Sequence, residues 1–176
     1  FNTTTGSSNI AIGSFALSAN VEGSASIAIG REVLLACTVG ENTAIGCIAM
    51  RDTVDGSSNV AVGFGALTSN VSGNYNCAVG REALFWSTGS ENTGMGYTAL
   101  RDNQGDSNCA FGSGSLAQNS TGYANAAVGA SALASNTTGS ENCALGTGAL
   151  AANTTGIRNV TLGSTVAPAN TTGYDN

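Results

Sequence analysis

The chain has 176 residues, a formal net charge of −6, five basic residues that are all arginine, and no histidine. Phosphate recognition needs clustered Lys and Arg, which argues against nucleic acid as a partner. Without histidine there is no Ser-His or Cys-His pair to run nucleophilic catalysis. No apolar run approaches the ~20 residues that cross a bilayer, so membrane insertion is not expected.

From the first residues onward the chain is one repeat. Units begin at Asn9, Ser26, Asn42, Asn59, Asn76, Asn92, Asn108, Asn125, Asn142 and Asn159, spaced by 17 residues, or by 16 after Ser26, Asn76 and Asn92. The consensus is N-x-A-φ-G-x-x-A-L-x-x-N-x-x-G-x-x, with φ apolar, and positions are numbered from the leading asparagine. Position five is glycine in every unit, from Gly13 to Gly163. Position three is alanine except at Gly94 and Thr161, and position nine is leucine except at Met50 and Ala167. A second glycine closes each unit, from Gly23 to Gly173. The first residue is Phe1 and both ends fall inside the repeat, which predicts a segment of a longer fibrous chain.

Two glycines per unit would each cost about 1 kcal/mol in a helix interior, so a helical repeat is not expected. Short β-prone stretches punctuated by glycine predict an all-β parallel solenoid, a β-roll of about ten rungs with two short strands and two turns each. Residues 1–176 then form a single domain. Alternation along N-x-A-φ separates positions two and four from the alanine. The larger residues are expected to fill the coil with leucine. The alanines, Ala61 and Ala127 among them, are expected to face outward for contact with another subunit. Leading asparagines are expected to bond from rung to rung.

Further features follow in chain order. N-x-[ST] sequons stand at Asn2, Asn70, Asn119, Asn136, Asn153, Asn159 and Asn170. All but Asn159, which lies in the leading ladder, fall in turns, where a row of sugars on one edge competes with a plain turn role for Asn and Gly. Cys37 lies in a turn, Cys47 follows a glycine, and Cys77, Cys109 and Cys143 share position two in alternate rungs, ~10 Å apart and too far to bridge. They read as small buried hydrophobes, against inter-chain bridges through Cys37 or Cys47 or metal sites. Arg31-Glu32, Arg51-Asp52, Arg81-Glu82 and Arg101-Asp102 suit ion pairs across rungs or subunits, with a ligand site as the alternative. Trp86, beside Phe85, is either a sugar-stacking platform or a local packing or subunit contact. A period of 50 residues, three rungs, relates Glu41, Glu91 and Glu141.

The strings "NIAIG" (9–13), "SIAIG" (26–30), "NTAIG" (42–46) and "NVAVG" (59–63) resemble the N-x-A-I-G head repeats of trimeric autotransporter adhesins. The longer N-T-A-I-G-x-x-A-L-x-x-N-T-T-G form is similar to repeats of phage-type tail fibres and of large algal-virus glycoproteins. That resemblance implies a left-handed, commonly trimeric roll in an extracellular, cell-surface or virion-surface fibre. A structural rod or stalk without catalytic residues, cofactor or metal is therefore expected, self-associating as a trimer or a head-to-tail filament. The alternative is an adhesin or tail-fibre module that binds surface glycans or a host receptor. Ice binding by threonine files is a weaker alternative.

Overall fold

The computed structural model describes residues 5–176. Each rung contributes one three-residue strand: β1 Ile10–Ile12, β2 Ile27–Ile29, β3 Thr43–Ile45, β4 Val60–Val62, β5 Cys77–Val79, β6 Thr93–Met95, β7 Cys109–Phe111, β8 Ala126–Val128, β9 Cys143–Leu145 and β10 Val160–Leu162. They form a single sheet in chain order, and the pairing is parallel and in register, for example Ala61↔Ala78 and Val62↔Val79. The chain is thus a β-solenoid whose rungs coincide with the sequence repeat.

The limb opposite the sheet is built of turns where a second strand was expected. Positions seven and nine there take left-handed backbone angles, as at Glu32 and Leu34 (φ 55° and 49°) and Glu82 and Leu84 (φ 56° and 53°). An extended segment turns successive side chains to opposite faces. The left-handed step lets neighbours at positions eight and nine both point inward, and Ala83 and Leu84 are fully buried. Non-glycine residues pay for this conformation, most of all β-branched ones such as Ile48 and Thr98. Bonds to both neighbouring rungs offset the cost: Leu84 N–H donates to Ala99 O at 2.9 Å, and Glu82 N–H donates backward to Phe64 O at 2.9 Å.

The strands face the opposite way to the expectation. Central alanines, including Ala28, Ala44, Ala61, Ala78, Ala127 and Ala144, are fully buried, whereas positions two and four lie outside. The interior width decides this. A methyl added at Gly94, the central residue of β6, would lie 3.3 Å from Leu84 Cγ and 3.2 Å from Ala99 O. Opposite a leucine there is room for one methyl, so Val, Ile or Phe must take the outer side. Thr161, in the alanine place of β10, carries a buried hydroxyl without a partner. Ala61 and Ala127 therefore belong to the core, and their assignment as subunit contacts is corrected.

Glycine at position five is required by close stacking: φ is 138° at Gly63, and a Cβ there would stand 2.5 Å from Gly80 O. In the short rung 26–41 the closing place is taken by Val39, whose carbonyl lies over Gly23, while Gly40 sits against Ser24.

Replacing Ala61 or Ala127 by arginine is expected to unfold the coil locally, costing more than about 3 kcal/mol through overpacking and a buried charge. Circular-dichroism melting and denaturant titration of each variant check this; a variant that melts as the parent does would place these residues outside the core.

Candidate functional site

Two files of asparagine side chains fill the part of the interior that leucine and alanine leave. The first is the leading residue. Asn59 Nδ2 donates to Gly73 O at 2.9 Å, and Asn59 Oδ1 accepts the backbone N–H of Asn76 at 2.8 Å. Asn125 repeats this with Gly139 O at 2.9 Å and the N–H of Asn142 at 3.0 Å. Ser26 interrupts the file, and its hydroxyl accepts from Asn42 N–H at a longer 3.3 Å.

The second file is position twelve. Asn136 Nδ2 donates to Gly139 O and to Asn119 Oδ1, both at 2.8 Å, and Asn153 Nδ2 donates to Asn136 Oδ1 at 2.8 Å. Each complete rung thus brings both asparagines to one oxygen. Gly139 O accepts from Asn125 and Asn136, and Gly73 O from Asn59 and Asn70. A carbonyl has two lone pairs, and both are used.

This geometry corrects the sugar row. Asn70, Asn119, Asn136 and Asn153 are fully buried, and their Nδ2 atoms, where a glycan would attach, are held by glycine carbonyls. Asn159 is buried in the leading file. Asn170 is half-buried, and its Oδ1 accepts Gly173 N–H at 2.9 Å. Asn2 lies outside the described residues.

Position twelve is not asparagine in every rung. Cys37 stands there, buried, with Sγ 3.1 Å from Val39 O; burial raises its thiol pKa. Thr53 and Ser87 also stand there, and their hydroxyls are buried without partners. The remaining cysteines do not fit the buried reading. Cys77, Cys109 and Cys143 lie on the outer sheet face, half-buried, and Cys47 Sγ accepts from Arg31 Nη2 at 3.6 Å. All five thiols are free.

The outer face of the sheet is the surface that the sequence reading missed. Positions two and four form two files, apolar except for Thr43 and Thr93, with no charged residue in either. Val62, Met95, Phe111, Val128 and Leu145 are each more than a third exposed. The alternation around alanine marked these residues, and only the choice of side was open.

Charged groups lie at the edges of this face and on the opposite limb. The pairs Arg31–Glu32, Arg51–Asp52, Arg81–Glu82 and Arg101–Asp102 close between sequence neighbours at 2.7–3.1 Å rather than across rungs. Arg158 instead forms its ion pair with the next rung, at Asp175, whose carboxyl pKa it lowers by hydrogen bonding. Trp86 is 55% exposed and meets Phe85 edge-on at 4.7 Å. The Phe85 ring is seated over Gly65, where a Cβ would stand 3.0 Å from it. A shallow open cleft of about 460 Å³ lies where rung 26–41 is short, lined by Glu22, Thr38, Val39, Glu41 and Ser57. Among the described residues no three His, Cys, Asp or Glu side chains group as metal ligands.

Asn136→Ala strands Asn119 Oδ1 and one lone pair of Gly139 O, and is expected to cost about 1–3 kcal/mol. Thr53→Asn is expected to gain about 1 kcal/mol by giving Gly56 O the second donor it lacks. Urea-unfolding midpoints of the two variants, moving in opposite directions, are the check.

No protein-family model matches the chain, and neither a curated protein nor a solved structure matches it.

Proposed function

We propose that this chain is a non-enzymatic structural element, a rigid rod or stalk segment within an extracellular or viral fibre. The observation that carries this reading is the repetition of one hydrogen-bonded node from rung to rung along the coil. Gly73, Gly122, Gly139 and Gly156 all accept from two asparagines. A coil so tied resists bending and gives length for few residues. Ten strands at ~4.8 Å make a rod of about 5 nm. The apolar side chains that a fold of this length usually hides are placed outside along its whole sheet, which suits a part that works in an assembly.

A second reading keeps one specific observation in its favour. Trp86 presents an exposed ring beside Phe85 on the limb opposite the sheet, a surface suited to stacking on a sugar. Threonine files for ice binding have less support. The outer strand positions carry Thr43 and Thr93 only, and Thr137 and Thr154 donate their hydroxyls to backbone carbonyls.

Small-angle scattering in solution tests the rod, with an expected cross-section that does not change along a length of about 5 nm per chain. A globular scattering profile would contradict it. A glycan array probed with the parent chain and with Trp86→Ala decides the second reading. Retention of a glycan by the parent and its loss in the variant would favour an adhesive module over a plain rod.

A further inference from the structure

The outer sheet face needs an occupant. It has no charge at positions two or four in any of ten strands, and its residues stay exposed: Ile12 59%, Val62 36%, Phe111 38%, Val128 41%, Leu162 78%. Ten strands at ~4.8 Å by a width of five residues at ~3.3 Å give roughly 800 Å², the area that one partner brings to a standard stable interface.

The rim of this face says which partner fits. One edge is position six, just past the position-five glycine, and it carries Arg31 and Arg81. The other edge is the last position of the rung, and it carries Glu41, Glu91 and Glu141, with the paired Arg158 and Asp175 near its C-terminal end. Arg31 and Glu41 belong to the same rung, 26–41, and Arg81 and Glu91 to another, 76–91. The Arg31 and Arg81 side chains are 61% and 63% exposed although each touches a neighbouring glutamate, so donors remain. Glu41 and Glu91 are exposed and accept from the hydroxyls of Ser58 and Ser107.

When two identical faces meet with their rods parallel, the right edge of one lies opposite the left edge of the other. Arg31 then stands level with Glu41 of the other copy, and Arg81 with its Glu91. When the rods run antiparallel, the arginine edges meet each other and repel. A copy of the same chain presents outer rows with this same rung spacing. An apolar groove on an unrelated partner would have to match both the spacing and the charge order.

We propose that positions two and four of the sheet form a contact between parallel, in-register copies of this chain, with Arg31 and Arg81 of one copy facing Glu41 and Glu91 of the next. The proposal rests on the rod reading and names the face by which rods join side by side. It replaces the alanine face, which is buried, as the place of self-association.

Sedimentation equilibrium of the full chain over about 1–50 μM, the range where a standard interface is populated, is the test. The parent is expected to associate. Val79→Glu with Val128→Glu changes outward side chains only, so the circular-dichroism spectrum and melting should stay as in the parent while association weakens at least about 100-fold. Glu41→Arg with Glu91→Arg should weaken it at least about tenfold, and adding Arg31→Glu with Arg81→Glu should restore it. A parent that stays monomeric, association that survives the two glutamates, or a charge exchange that fails to restore it would overturn the proposal. So would a face protected by bound lipid or another protein rather than by a second copy. Scattering from a monomer would still report rod length, so the failure of this contact and the failure of the rod reading are distinguishable.

Discussion

One carbonyl oxygen in each rung that has asparagine at both positions one and twelve anchors the coil. The closing glycine offers both lone pairs to two asparagine side chains, one at the start of the rung and one at its last corner. The leading asparagine also takes the backbone N–H of the next rung on its Oδ1. Three separate points of the chain are therefore tied by a single amide. Each of these groups is buried, so leaving any of them unpaired would cost about as much as a buried hydrogen bond is worth. A Cβ on Gly73 or Gly122 would collide with the carbonyl of the next rung, so the glycines are as necessary to the node as the asparagines.

The size of the interior follows from that node. With two asparagines on one side and a leucine on the other, the strand can direct only a methyl inward. The larger residues at positions two and four must then go outside, which leaves the coil with a thin core of alanine and leucine and an apolar exterior. Polar ties take over part of the work that a thicker core would do. The coil is ordered by its interior and incomplete on its surface, and both properties come from the same narrow cross-section. Together they are the two features on which the proposed rod and its proposed side-by-side contact rest.

Repeat length, rung boundaries and the parallel stack were legible in the sequence because every rung restates the same residues, and the leading ladder was legible for the same reason. The side on which the alanine falls was not. A period-two pattern separates two faces without saying which is inside, and the rule that large apolar residues go in gave the wrong side here. The opposite limb was also hidden. A-L looked like a strand, yet Leu84 and its counterparts adopt left-handed angles that propensity does not predict for leucine. The turn asparagines looked like surface residues because Asn and Gly are turn formers. Only the closeness of Asn136 Nδ2 to Gly139 O, at the end of the same N-T-T-G turn, reveals that the side chain is folded inward.

Residue-resolved amide hydrogen exchange tests the node most directly. The account predicts that backbone amides of the leading residues Asn76, Asn92, Asn125 and Asn142, which donate to a side-chain oxygen and not to a strand carbonyl, exchange as slowly as the strand amides beside them. Asn42, which meets Ser26 instead, should exchange faster. Leading-residue amides that exchange at the rate of open turns, while the strands stay protected, would show that the sheet holds the coil without the asparagines and would contradict the account.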